Sequence, residues 1–276
     1  MRARVAAVLV ALALIAVPAI AAAVSTTPST TPASPPPLSA CGSPKRDVCN
    51  GTAKAETFML GIGNDDVGAG GGDDVIDGGP GDDRLSGQAG NDKITGDDGN
   101  DKELGGSGND SLDGGAGNDH MTGGSGNDVI TTGPGKNYAS GQGGDDQISA
   151  GAGNDRLAGG AGKDVVHGGS GKDVITGGAG ADKLGGDAGA DNIHSGAGAD
   201  TVDGGTGNDI IDGGPGADVM SGGPGNDDIN AKDAYVDHIT CGTGTDVVFA
   251  DAGDVVSSDC EHVHRVHGHR TPSHHR

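Results

Sequence analysis

Aspartate recurs along this chain at an interval of nine residues. The series runs Asp65, Asp74, Asp83, Asp92, Asp101, Asp110, Asp119, Asp128, then Asn137, then Asp146, Asp155, Asp164, Asp173, Asp182, Asp191, Asp200, Asp209, Asp218 and Asp227. A glycine stands two residues before every member, from Gly63 to Gly225. Two residues after nearly every member comes an aliphatic side chain or Met, as at Val67, Leu112, Met121 and Ile229. A carboxylate set beside glycine-rich backbone offers oxygen ligands alone: its own, and the carbonyls of a turn that glycine lets bend toward a common centre. That donor set suits calcium rather than zinc or copper. The aspartates of the series are therefore the candidate metal ligands.

Such ligands need an element that repeats with them. The unit reads Gly-Gly-x-Gly-x-Asp-x-Φ-x, where Φ is the aliphatic residue, and the stretch from Gly123 to Thr131 is a clean copy. Six turn-forming residues precede three that suit a short strand whose Φ side chain faces inward, by the period of two. One such strand cannot stand alone. Successive copies must stack in parallel, burying a column of Φ residues, with two units to a coil and each unit lying on the one eighteen residues away. The expected fold is all-β, a right-handed parallel β-roll (β-solenoid) with two short strands per coil.

Composition limits what else the chain does. Its 276 residues include 58 glycines, two Tyr, two Phe and no Trp, and the formal charge is -23. Glycine loses more backbone freedom on ordering than any other residue, so one apolar side chain per nine residues is thin compensation. Stacked carboxylates also repel until a cation sits between them. The fold is therefore expected to be conditional on bound calcium. Nucleic-acid binding is excluded by the lack of basic patches and stacking aromatics. No nucleophile elbow, zinc-protease helix or spare catalytic segment is present, which points to a non-catalytic protein. An ice-binding face would rank threonine at one outward position, whereas the third position of the unit is threonine only at Thr206.

Units such as Gly114-Gly115-Ala116-Gly117-Asn118-Asp119 and Gly204-Gly205-Thr206-Gly207-Asn208-Asp209 resemble the RTX, or hemolysin-type calcium-binding, repeat family. The resemblance spans residues 60–230. It implies a parallel β-roll with several calcium ions held between stacked turns by the sixth-position aspartates and turn carbonyls. The segment from Asp237 to Asp251, with Asp254 to Glu261, is similar to the terminal part of secreted actinobacterial calcium-binding repeat proteins; read physically, it is two drifting repeats, with Asp237 and Asp246 nine apart, that end in a disulfide-closed cap.

The remaining segments frame the array. Arg2 and Arg4, an apolar run from Val5 to Ile20 and the small residues Ala21-Ala22-Ala23 read as a signal peptide over 1–23, leaving an exported chain with no membrane span after cleavage. Residues 24–40 are a Pro/Ser/Thr-rich linker. Cys41 with Cys49, and Cys241 with Cys260, form two local pairs at opposite ends of the array, as an exported chain favours. They mark an N-terminal cap at 41–59 and a C-terminal cap at 231–263, around a calcium-binding roll at 60–230. Residues 264–276, with His264, His267, His269, His274 and His275 at no fixed spacing, read as a disordered tail. The partners expected are calcium ions and, for an adhesin or matrix scaffold, a cell-wall or matrix polysaccharide or protein.

Three departures carry their own expectations. Asn137 should weaken the sites it shares with Asp119 and Asp155. Glu103 falls on a Φ position, and since a buried unpaired carboxylate is costly, a local distortion should turn Leu104 inward in its place. The residue before the aspartate is Asn or Asp in most early copies but Lys or Ala in several later ones, such as Lys163 and Ala181. This hints at weaker late sites unless that position merely faces solvent.

Overall fold

The computed structural model of the protein describes residues 41–266. The signal peptide, the linker and all of the tail beyond Val266 lie outside the described residues. Among the described residues there is no helix; two parallel sheets of 13 and 12 strands run the length of the array, with a short two-stranded parallel sheet beside them. Strands of six residues, such as His120–Ser125, alternate along the chain with strands of three, such as Val129–Thr131. Each goes to the opposite sheet from its neighbour in sequence.

The register is the nine-residue period doubled. Val129–Thr131 pairs with Ser111–Asp113 on one side and Gln147–Ser149 on the other, placing Ile130 between Leu112 and Ile148. Each Φ side chain thus packs on its counterpart eighteen residues away. The column between the sheets, from Phe58 through Ile76, Ile94 and Met121 to Ile239 and Val248, is buried throughout. Phe58 continues it at the amino end, pairing in register with Ile76. This is the all-β parallel solenoid that the repeat dictates.

The glycines of one unit serve different needs. Gly124 and Gly126 have φ of 122° and 119°, where an L side chain is strained, and a β-carbon on either would strike a carbonyl of the preceding coil. Gly123 is not left-handed; a β-carbon there would collide with the Asp128 carboxylate. At the position of Gly124 some units carry a larger residue regardless: Gln88, Asp97, Gln142 and Asp187 all keep φ between 67° and 78°.

The ladder also runs on past residue 230. An extra residue between Ala231 and Asp237 is absorbed in a turn where Ala234 has φ of 80°. Beyond it Ile239 still pairs with Met220, and Val248 with Ile229. The drifting repeats thus add further coils to the roll beyond residue 230, closed by the Cys241–Cys260 disulfide as Cys41–Cys49 closes the start. The tail boundary moves as well. His264 belongs to the last strand, His262–Val266, and stacks on Phe249, which also lies under Lys232.

Glu103 corrects another expectation. The strand Lys102–Ser107 is undistorted: Glu103 pairs in register between Leu85 and Met121 and is fully buried, while Leu104 is 40% exposed. Strand period outweighed side-chain polarity, because turning Leu104 inward would have flipped every neighbour in that strand to the wrong face.

Candidate metal centre

The turns that carry the aspartates line the two edges of the roll, where the chain passes from one sheet to the other. Asp65, Asp83, Asp101, Asp119, Asp155, Asp173, Asp191, Asp209 and Asp227 stack along one edge, with Asn137 among them. Asp74, Asp92, Asp110, Asp128, Asp146, Asp164, Asp182, Asp200 and Asp218 stack along the other. All are buried.

Each carboxylate splits its two oxygens between different tasks. Oδ1 accepts the backbone N–H of the aspartate one coil earlier: Asp110 N donates to Asp128 Oδ1, and Asp128 N to Asp146 Oδ1, both at 2.8 Å. Oδ2 is buried and has no hydrogen-bond partner in any of these aspartates. A carboxylate oxygen buried in this way is costly unless a cation or proton meets it.

The space that Oδ2 faces is specific. A β-carbon placed on Gly78 would lie 2.5 Å from Asp83 Oδ2 and 3.1 Å from the carbonyl oxygen of Gly96, the first residue of the unit one coil later. On Gly168 it would lie 2.8 Å from both Asp173 Oδ2 and Gly186 O. Glycine at the first position therefore keeps open a cradle between coils, lined by a carboxylate oxygen from one turn and a carbonyl from the next. Among the described residues no three His, Cys, Asp or Glu side chains converge on a metal position. The donors are half backbone, which is calcium chemistry rather than that of a transition metal. Calcium fits this cradle: it would neutralise Oδ2 and use the first-position carbonyl of the adjoining coil.

Burial, more than any neighbour, pushes the carboxyls upward in the absence of an ion. Asp101, Asp146 and Asp218 rise to about 7, and Asp83, Asp110, Asp119, Asp173 and Asp209 to about 6. The N–H bonded to Oδ1 opposes the shift, and stacked carboxylates add to it, as Asp83 and Asp119 do at Asp101. Glu103 is driven well above the ordinary range by burial first, then by Asp101 and Asp119.

Sequence reasoning missed several participants. Asp237 and Asp246 repeat the arrangement in full, each taking an N–H one coil back through Oδ1 and burying an unpartnered Oδ2. They sit nineteen residues after Asp218 and Asp227, so although the sequence shows them as drifting repeats, a strict step of nine leaves them out of the ligand series. At the ends, Glu56 N donates to Asp74 Oδ1, and Asp246 N to Glu261. In most units the residue before the aspartate is exposed but engaged. Asn91 Oδ1 accepts the N–H of Asn109, whose Oδ1 accepts that of Asn127, forming an outer ladder that alanine at position 181, 190, 199 or 217 cannot continue.

Asn137 is more than a weak aspartate. Its Oδ1 accepts the Asp119 N–H as usual, but its Nδ2 donates to Thr132 Oγ1 and Gly133 O, each at 3.1 Å. Thr132, fully buried, stands where other units have the first glycine. Protein hydrogen bonds thus fill this cradle. From residue 78 to 222 the first position also departs from glycine at Ala150 and at Ser195, whose hydroxyl donates to the Gly213 carbonyl. The loss of that glycine was the readable signal.

A stacked-turn roll lined by oxygen donors defines a calcium-binding solenoid, and the comparisons agree. The sequence model described as the RTX calcium-binding nonapeptide repeat matches overlapping segments from residues 50–85 through 194–229, well over half the chain. The chain belongs to this family. No curated protein matches it. A solved β-helical, Ca2+-dependent antifreeze protein from an Antarctic bacterium is similar in fold, with a TM-score of 0.50 and 22% identity over 81% of each chain.

Proposed function

We propose that this is an exported protein whose roll folds on meeting extracellular calcium, and whose work is structural or binding rather than catalytic. One observation carries this reading: the column of buried, unpartnered Oδ2 atoms on both edges. Without cations it opposes folding, and with them it joins every coil to the next. Extracellular oxygen-ligand sites typically bind calcium at about 10⁻⁴ to 10⁻³ M, so the same chain stays unfolded at low internal calcium. Open grooves between side chains of neighbouring coils, as at Arg46, Asn64, Asp82, Arg84 and Lys102, are in keeping with a non-catalytic role of the described residues. Size-exclusion chromatography of the purified protein tests this. A compact species in calcium and an expanded one in chelator is expected, and equal elution in both counts against it.

A second reading, a calcium-dependent adhesin or scaffold component, has its own support. Arg84, Lys102, His120, Tyr138 and Arg156 follow one another in register on the outer face of the larger sheet, His120 stacked on Tyr138. On so acidic a chain this cationic and aromatic column suits an anionic cell-wall or matrix polysaccharide. Pull-down on such a polymer should require calcium and be lost in the triple variant Arg84→Glu, Lys102→Glu, Arg156→Glu. Retention by that variant removes this reading. Ice binding is not carried over from the antifreeze structure, because no threonine rank is present at the third position of the unit.

A further inference from the structure

At Gly78, Gly114, Gly168 and Gly213 the Φ side chain is among the atoms nearest the ion cradle, and it borders the cradle with carbon or sulfur. Beside Gly78 the third nearest atom, after Asp83 Oδ2 and Gly96 O, is Leu85 Cδ1; beside Gly168 it is Ile175 Cδ1, and beside Gly114 it is Met121 Sδ. The unit of Asp101 differs. A β-carbon on Gly96 would meet Asp101 Oδ2 at 2.5 Å, Gly114 O at 2.6 Å and Glu103 Oε1 at 2.7 Å. The three atoms nearest this space are therefore oxygens from three residues, where at Gly78 and Gly168 they are two oxygens and a carbon.

Glu103 has no other visible purpose. It is fully buried in the apolar column between Leu85 and Met121, and neither of its oxygens has a hydrogen-bond partner. An apolar side chain would fill this position at no electrostatic cost, as Leu85 and Met121 do in the flanking coils. An isolated carboxylate held there is among the most expensive groups a core can contain. The cost is met if the carboxylate is a ligand.

We propose that Glu103 is a calcium ligand, and that with Asp101 and the Gly114 carbonyl it forms a site of higher charge and affinity than the other inter-coil sites. The inference rests on the calcium reading of the roll. Calcium affinity is tuned by the number of charged ligands and by site rigidity, and here a second carboxylate is fixed by a strand rather than a loop. The ion at this site binds first as calcium rises, and orders the coils of Asp83, Asp101 and Asp119 ahead of the rest.

The test is direct counting of retained calcium. Wild-type protein, Glu103→Gln and Glu103→Leu are dialysed against a series of buffered free-calcium concentrations, and bound calcium is measured by atomic absorption. In the wild type, one class of ion is expected to persist to free calcium roughly tenfold below that which half-empties the others. Both variants should lose that class and keep the remainder. Glu103→Leu restores the usual Φ residue, so a loss there cannot be ascribed to misfolding if its circular dichroism in calcium matches the wild type. Unchanged binding in both variants, or a single uniform class in the wild type, overturns the proposal while leaving the calcium roll intact. Failure of the wild type to bind calcium at all overturns both.

Discussion

Replacing Asp128 separates the two tasks of the repeated carboxylate. Asp128→Asn keeps Oδ1 for the Asp110 N–H and substitutes an amide for the ion-facing Oδ2, whereas Asp128→Ala removes both. Asn137 shows that an asparagine fits, since it takes the Asp119 N–H at 2.8 Å. Both variants lose the charged ligand, so in saturating calcium both should unfold at lower urea than the wild type. Only the alanine variant also leaves the Asp110 N–H buried without a partner, which costs about 1–3 kcal/mol. The expected order is therefore wild type, then Asp128→Asn, then Asp128→Ala lower by about that amount. An internal check combines Asp128→Asn with Gly123→Thr, copying the Thr132–Asn137 arrangement. The double variant should recover part of the lost stability while binding less calcium. Wild-type stability for Asp128→Asn in calcium would remove Oδ2 from the ligand set. Equal stability for the asparagine and alanine variants would remove the Oδ1 bond from the account of stacking.

Converting Thr132→Gly together with Asn137→Asp should reopen the filled cradle and add an ion to the calcium bound at saturation; an unchanged calcium count would show that the cradle is not the site. Without calcium, the raised carboxyls give stability a definite pH dependence. The unfolded chain releases these protons near pH 4, while the folded roll holds them to about 6 for Asp110 and about 7 for Asp101 and Asp146. Calcium-free stability is thus highest below pH 4 and lost as pH rises through 6 to 7. Calcium binding should strengthen over the same window with release of protons, measurable by calorimetry in buffers of different ionisation enthalpy. Gln142 has φ of 78°, so Gln142→Gly should relieve the left-handed strain and stabilise the calcium-bound roll by about 1 kcal/mol in urea melts; a loss of stability would show that its side chain contributes packing that outweighs the strain.

The solenoid was legible because the signal for it is redundant. A step of nine with Φ two residues past each aspartate fixes strand, inward face and stacking partner together, and Ile130 between Leu112 and Ile148 follows from spacing alone. What escaped the sequence were features that depend on contacts between coils. Asp237 and Asp246 are legible as drifting repeats nine apart, but their membership in the ligand series was not, because one extra residue, absorbed by the turn near Ala234 without breaking the ladder, shifts them out of step. Glu103 was misjudged because the cost of burying it was weighed residue by residue. The strand's register and the nearness of Asp101 Oδ2 decide the matter, and both are properties of the stack. The pairing of Thr132 with Asn137 lay in plain view as two substitutions five residues apart. Their complementarity appears only once hydroxyl and amide are seen to meet inside the turn.

Far-UV circular dichroism of the purified protein during a calcium titration, with magnesium as control, bears most directly on the claim that this roll is conditional on its ions. A transition from coil to β-structure driven by calcium, reversed by chelator and not produced by magnesium at the same concentration, is the expected result. A β-sheet spectrum that is already complete in chelator at pH 7.5 and indifferent to added calcium would contradict it.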